Sequence, residues 1–320
     1  MTTLDRPLRP SPSPTTGPAA VAAPAQPLTA GPGHAAIHAE LDGARRSGPL
    51  RDIVIPPCPE LLVRLKAATA TAEPDMGEID GIASADVAMA AALIRRANSP
   101  AYALQQPVHT VGQAMTVLGL GPAVDLLTGF LIRGAIPLHS PVLAHFWESS
   151  TRKALACEHI GTQLYSLPPG LAHSFGLFCH VGIPVMMRGV RGYASTLTEA
   201  LARQDRTFTQ TENANHRTDH AVVGALVART WHLPPDVAVA VRLHHDFSSL
   251  RDASFAPVVR QLVALGLVAD HLMGRHDNLP ELREWRQHGV ACMAYLEVTP
   301  EEVDHWVDEL YPVLSAVSLD

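Results

Sequence analysis

Residues 84–120 read SADVAMAAALIRRANSPAYALQQPVHTVGQAMTVLGL, which predicts two successive short helices. In the first, apolar residues recur three and four positions apart, and the face predicted to be buried consists of Val87, Ala90, Ala91 and Ile94. Asn98-Ser99-Pro100 ends this helix, because the residue before a proline disfavours helical geometry. Thr110 and Gln113 then form a capping box that begins the second helix.

The same pattern continues on both sides of this segment. Pro59 begins a helix whose apolar face is Leu61, Leu62, Leu65 and Ala68, and Thr218 is predicted to cap another helix. Near the end of the chain, Thr299 and Glu302 form a capping box before an apolar stripe that consists of Val303, Trp306, Val307, Leu310 and Leu314. No run alternates between apolar and polar residues with turns at its ends. The sequence therefore predicts an all-α fold.

Composition excludes several classes of protein. The 320 residues are 47% hydrophobic and 17% charged, which is typical of a globular chain. The formal net charge of -7 gives no electrostatic attraction to nucleic acid or to an anionic membrane, and no run of 18 apolar residues predicts a membrane span. The four cysteines form no C-x-x-C pair, and the first residues do not resemble a signal peptide. We therefore expect a cytoplasmic protein.

The N-terminal region differs in composition from the rest of the chain. Residues 1–48 begin with a segment rich in proline and alanine, which has too little apolar surface to offset the entropy of ordering. We predict a disordered tail here, with one short helix around Ile37, Leu41 and Ala44.

Histidines are the most prominent candidates for chemistry. The chain has 17 histidines, and imidazole is the commonest protein ligand of metal ions. His180, His220, the pair His244-His245 and Asp270 all fall on predicted helices that would pack together, and His244 shares an apolar stripe with its neighbours. Inward histidines with a carboxylate are typical of a hydrolytic metal centre.

Several segments together resemble the HDOD domain, an output domain related to metal-dependent HD hydrolases. They are IPPCPELLVRLKAA (55–68), the stretch 84–120, Phe146-Trp147, FCHVGIPVM (178–186), the segment from His220, and His244-His245. The resemblance implies two packed helical subdomains over about 50–275, with the division between 50–137 and 138–275. Residues 276–320 would form a helical extension.

Catalytic HD relatives hold metal with a histidine, a His-Asp pair, further histidines and a late aspartate, and this chain departs from that pattern. The first histidine corresponds to Ser149 or Ser150, and the His-Asp pair reads His180-Val181. Losing that aspartate removes the carboxylate that would bridge two metal ions. The resemblance therefore implies vestigial positions that form a candidate ligand pocket: Ser149, His180, Val181, His220, His244, His245 and Asp270. No catalytic residue, metal ion or cofactor is expected.

The favoured hypothesis is a non-catalytic bacterial signalling protein that regulates by binding another protein or a ligand. Signalling proteins and a small-molecule or nucleotide effector are the expected partners, without nucleic acid or membrane. Two questions stay open. One is whether His220, His244 and His245 bind a single ion or are only hydrogen-bonded core residues, and the other is whether the last helix mediates homodimer formation. The alternative function is an atypical HD-type phosphohydrolase or cyclic dinucleotide phosphodiesterase that uses His180, His220, His244 and Asp270.

Overall fold

The computed structural model describes residues 31–47, 49–203 and 205–317. These ranges contain α-helices and four short 3-10 helices but no strand, which confirms the all-α prediction. The α-helices in the described ranges are α1 (Pro32–Ser47), α2 (Glu60–Thr69), α3 (Met76–Ser84), α4 (Val87–Ala97), α5 (Val111–Leu118), α6 (Leu120–Ala135), α7 (Phe146–Gln163), α8 (Pro169–Phe178), α9 (Gly182–Gly189), α10 (Tyr193–Ala202), α11 (Phe208–His216), α12 (His220–Thr230), α13 (Pro235–Leu243), α14 (Pro257–His276), α15 (Arg283–Leu296) and α16 (Pro300–Ser315).

Helix ends follow the sequence signals closely. Asp86 accepts hydrogen bonds from two backbone N–H groups at the start of α4, and the capping boxes at Thr110 and Thr299 are both present. The predicted cap at Thr218 is wrong, because Asp219 caps α12 by accepting from the Val222 N–H. A carboxylate one residue later in the chain is the better acceptor for that helix end.

The buried face of α4 also differs from the prediction. Val87 is 87% exposed, whereas the buried residues of α4 are Met89, Leu93 and Ala97. Apolar residues cover nearly the whole circumference of this helix, so the periodicity alone allows two adjacent faces. Packing against α3, α5 and α6 selects the one that carries the larger side chains.

The predicted short helix near the N-terminus is longer than the apolar pattern and is docked on the second half of the chain. Ile37 and Leu41 of α1 are buried, and α1 packs against α12 and α13. The His34 Nε2 atom lies 2.8 Å from the Asp236 carboxylate, and Arg242 donates to Glu40. Residues 1–30, where the tail was predicted, lie outside the described residues.

The two halves of the chain pack on each other through a continuous core. In the second half α7 pairs with α8, α12 pairs with α13, and α14 packs against both α7 and α13. Long-range hydrogen bonds join the halves. Among them, Lys66 Nζ donates to the Trp231 carbonyl oxygen at 2.7 Å, and Trp231 Nε1 donates to the Pro56 carbonyl oxygen at 2.8 Å.

One segment, Pro169–Gly189, is long and apolar enough to pass a test for a membrane span. Within it, 67% of the tested window is buried inside the protein. The segment consists of α8, a turn and α9, and these elements lie at the centre of the second half. Burial of this kind is typical of core helices, which pass the same test.

Candidate metal centre

Four histidines come together where the ends of three helices meet. His180 lies in the turn between α8 and α9, His220 is the first residue of α12, and His244 and His245 directly follow α13. Their ring nitrogens, one from each residue, all lie within 4.8 Å of one another. The sequence placed all of these residues within helices, whereas His180, His244 and His245 occupy helix ends and turns. This brings the rings together more tightly than helix faces would.

A close backbone crossing positions His180 beside His220. A Cβ atom built on Gly182 would lie 2.0 Å from the His220 carbonyl oxygen and 2.7 Å from the Gly224 nitrogen. No other residue type fits this contact, because real Cβ atoms do not approach heavy atoms so closely. Gly182 therefore allows α9 to cross the start of α12, and the two rings stand with centroids 5.5 Å apart.

Hydrogen bonds fix the orientation of three of the four rings through their Nδ1 atoms. His220 Nδ1 lies 2.7 Å from Glu212 Oε2, and His244 Nδ1 lies 2.7 Å from the Val241 carbonyl oxygen. His245 Nδ1 lies 2.9 Å from Glu284 Oε1. Carboxylate and carbonyl oxygens only accept hydrogen bonds, so each Nδ1 carries a proton and donates it. Partners of this kind set the tautomer of metal-binding histidines.

The three Nε2 atoms consequently face one another. His220 Nε2 lies 3.2 Å from His244 Nε2 and 3.2 Å from His245 Nε2. With the protons on Nδ1, the Nε2 lone pairs of the neutral rings point at one another. One additional proton on an Nε2 atom could form a hydrogen bond in only one of the two Nε2–Nε2 contacts. A tetrahedral ion at about 2.0 Å from imidazole nitrogens separates its ligands by about 3.3 Å. The observed spacing therefore fits one such cation.

Glu212 connects this cluster to the interior of the protein. It is fully buried, and it accepts hydrogen bonds from the His220 ring, the His220 backbone N–H and the Tyr193 hydroxyl. A buried carboxylate without partners would be costly, but this one is fully hydrogen-bonded. The position of the His220 ring is therefore strongly constrained.

Electrostatics keep two of the imidazoles in the form that can bind a metal. Burial, with the charge of Lys153 and the neighbouring histidines, holds the pKa of His180 well below its ordinary value. Burial and His245 do the same to the pKa of His244. Burial opposes protonation of His245 as well, but the Glu284 carboxylate outweighs it and raises the pKa of His245. Neutral imidazole is the form that ligates metal ions.

Asp270 has a different partner from the one expected of a metal ligand. Its Oδ2 atom lies 2.8 Å from Lys153 Nζ, and the lysine side chain is only 3% exposed. Burial disfavours a charged lysine, but the Asp270 carboxylate more than offsets this and raises the pKa of Lys153. Lys153 comes from α7, the helix from which catalytic HD relatives are expected to supply their first histidine. Ser149, also on α7, is exposed.

These contacts differ from the two-metal ligand set that the resemblance to catalytic HD relatives implies. Val181 is fully buried in the core and offers no oxygen ligand. The Lys153 ammonium group holds the carboxylate that would serve as the late ligand. Four imidazoles, by contrast, match the nitrogen donors and the coordination number that Zn²⁺ and similar transition ions take in closed protein sites.

Sequence reasoning found all four histidines but missed the residues that control them. Glu212 lies on α11, which the sequence patterns did not reveal, and Glu284 lies on α15, more than 35 residues beyond the histidine it orients. Lys153 carried one available signal. It is one of two lysines in a chain whose other basic residues are arginines, and it lies in the helix where a ligand was expected.

The chain belongs to the HDOD family, because the model of the HDOD domain matches residues 55–247. No curated protein matches the chain. Among solved structures, an HDOD domain protein of unknown function from Geobacter sulfurreducens has a TM-score of 0.68 at 19% identity. That similarity covers 89% of this chain and 100% of the other.

Two further structures share the fold at similar identity. One from Marinobacter aquaeolei VT8, provisionally named a signal transduction protein, has a TM-score of 0.68 at 19% identity; 89% of this chain and 64% of that chain are covered. One from Shewanella amazonensis SB2B, provisionally named a phosphohydrolase, has a TM-score of 0.66 at 18% identity, with 88% and 97% covered. Identities this low establish the shared fold alone.

Proposed function

We propose that this chain is a signal-transducing regulatory protein whose four-histidine cluster binds one transition-metal ion and which does not hydrolyse phosphoesters. The observation that carries the metal assignment is the convergence of Nε2 atoms from His220, His244 and His245, each ring fixed through Nδ1. His180 would supply the fourth nitrogen. Such an ion would link the helix ends rigidly. The proposal of a bound ion differs from the sequence-based expectation of no metal.

The absence of hydrolysis is proposed from the remaining ligand positions. A catalytic zinc-type site keeps one coordination position for water, whereas four protein ligands close the site. Val181 supplies no group to orient or deprotonate a water molecule, and Asp270 is held by Lys153. Regulation through binding is then the function that this fold retains. The names of the structural neighbours include both signal transduction and phosphohydrolase, so the choice rests on these residues.

The first test is elemental mass spectrometry on untagged protein that has been purified without chelator. We expect about one transition-metal ion per chain from the histidine cluster, and His220→Ala should lose it. Ser149→Ala is the matched control, because Ser149 is exposed on the α7 helix and offers no ligand. A wild-type protein that contains no metal, or a His220→Ala protein with full metal content, would contradict the assignment.

Phosphohydrolase activity is the second candidate, and the carboxylates behind His220 and His245 favour it because active metal sites use the same support. The purified protein should be assayed with a panel of phosphomonoesters and cyclic dinucleotides in Mn²⁺ and in Fe²⁺. We expect no turnover. Turnover that disappears in His180→Ala would establish an enzyme and would reject the regulatory proposal. That result would not contradict the proposal that the histidine cluster binds a metal ion.

A surface pocket formed mainly by the second half of the chain is the place where we propose that an effector binds. It has a volume of about 280 Å³ and lies between the segment that joins α6 to α7 and the α9 helix. Arg188 lines it and could attract an anionic group, and most of its remaining lining is apolar. Calorimetry with nucleotides should detect binding in the wild type that Arg188→Ala weakens. Heat changes that are equal in both proteins would exclude this pocket, and protein partners would then be sought.

A further inference from the structure

A second group of potential ligands lies outside the histidine cluster. Asp125 on α6, Glu158 on α7 and His173 on α8 each place one ligand atom within 4.8 Å of the other two. None of these residues belongs to the motifs that the sequence analysis selected. The group joins the first helical half, through α6, to the α7–α8 pair of the second half.

His173 is the most informative member of this group. Its relative exposure is 4%, and its Nδ1 atom lies 3.4 Å from Asp125 Oδ1, which is beyond normal hydrogen-bond length. Within the described ranges, no hydrogen bond joins the side chain of His173, Asp125 or Glu158 to any other residue. The His173 ring therefore faces the Asp125 carboxylate at 3.4 Å without forming a hydrogen bond with it.

Among the described residues, no lysine or arginine forms an ion pair with Asp125 or Glu158. Arg96 acts on Glu158 only at a distance and forms no ion pair with it. Burial and the Glu158 charge raise the pKa of Asp125 to about 7, and burial raises the pKa of Glu158. Burial also lowers the pKa of His173 to about 4, so its ring is neutral at pH 7 and has a free lone pair. A divalent cation would remove the carboxylate repulsion and use that lone pair.

We propose that Asp125, Glu158 and His173 bind one divalent ion of the Zn²⁺ class, which links α6 to α7 and α8. Imidazole and carboxylates are a common ligand set for this ion, and the separation of 3.4 Å matches the roughly 3.4 Å between neighbouring ligands of a tetrahedral site. Three protein ligands leave one position for water or for an exogenous ligand. This site shares no residue with the histidine cluster and is independent of the function proposed above.

Zinc stoichiometry of the full chain tests this proposal. Chelator-treated protein is loaded with Zn²⁺, freed of excess metal and analysed by elemental mass spectrometry. We expect two ions per chain in the wild type. Asp125→Asn should hold one ion, in the histidine cluster, and His220→Ala should hold one ion, in the second site. The double variant Asp125→Asn with His220→Ala should bind none. Asp308→Asn, at an exposed carboxylate on α16, is the control and should retain two.

Thermal unfolding gives a readout that does not depend on stoichiometry. In the His220→Ala protein, which should lack the ion of the histidine cluster, an excess of about 1,000 Kd of Zn²⁺ should raise the Tm by roughly 5 °C through the second site. Adding Asp125→Asn or Glu158→Gln should abolish that shift, and circular dichroism would verify that each variant is folded. The proposal would be overturned if wild type and Asp125→Asn both held one ion per chain, or if the Tm shift persisted in both variants. Asp125, Glu158 and His173 would then be a group that shares protons.

Discussion

The histidine cluster and the neighbouring residue Asp270 differ in the partners that surround them. On one side, His180, His220, His244 and His245 remain together, with buried partners that aim three of their rings at one point. On the other side, Lys153 has taken the carboxylate of Asp270 into a buried ion pair. The Lys153 ammonium group is the counter-charge of Asp270, and the histidines keep hydrogen-bond partners of their own.

Under the proposed function, a chain without the two-metal reaction still binds a metal ion. Removing one partner of a buried ion pair leaves an uncompensated charge, so Lys153 and Asp270 depend on each other. Neutral imidazoles carry no such charge and can persist with hydrogen-bond acceptors behind them.

The crossing that assembles the histidine side should be the most sensitive point. Gly182→Ala would place a Cβ atom 2.0 Å from the His220 carbonyl oxygen, so α9 and α12 would have to separate. We expect destabilisation by about 3 kcal/mol or more, or no folded protein. Denaturant unfolding checks this, with Gly129→Ala in α6 as control, because that position has open space. Equal stability of the two variants would refute the packing argument.

The ion pair on the other side should come next. Asp270→Asn leaves Lys153 buried without its counter-charge, and we expect a loss of about 3 kcal/mol in the free energy of unfolding. The double variant Lys153→Met with Asp270→Asn removes the unpaired charge and should recover most of that loss. If the double variant were as unstable as Asp270→Asn, the lysine would not be the source of the cost.

Removing the support behind a histidine should weaken metal binding without abolishing it. Glu284→Gln deprives His245 of the carboxylate that orients its ring, and we expect the Kd for Zn²⁺ to rise about 10- to 100-fold. Competition with a chromophoric chelator measures this change. Glu281→Gln, at a nearby exposed carboxylate, should have the wild-type affinity, and a comparable loss there would show a general charge effect instead.

The smallest effect is expected at Ser149, which is one of the two residues, with Ser150, that the resemblance places at the lost first histidine. Ser149 is exposed, so Ser149→Ala should change stability by less than about 0.5 kcal/mol and should leave metal content unchanged. Unfolding curves and elemental analysis test both statements. A clear loss of metal in this variant would mean that α7 contributes a ligand through Ser149, contrary to the structure.

Local sequence signals gave the helical elements with good accuracy. The capping boxes at Thr110 and Thr299 and the stripe on α16 are present as predicted, because they depend on residues three or four positions apart. The buried face of α4 was wrong, since a helix that is apolar on most sides does not specify which side its neighbours cover. α10 and α11 were not predicted; the buried residues of α11, Thr211 and Glu212, are polar and give no apolar face to recognise.

The candidate site shows the same division. The sequence alone shows which residues are candidate ligands. Imidazole chemistry follows from residue type, and the replacement of an aspartate by Val181 follows from the resemblance to the HDOD family. The hydrogen-bond and ion-pair partners of these residues are visible only in the tertiary structure. Glu212, Glu284 and Lys153 are distant in the chain from at least one group they control, and a hydrogen bond or an ion pair depends on separation in space. The tautomers of the histidines and the partner of Asp270 follow from those contacts.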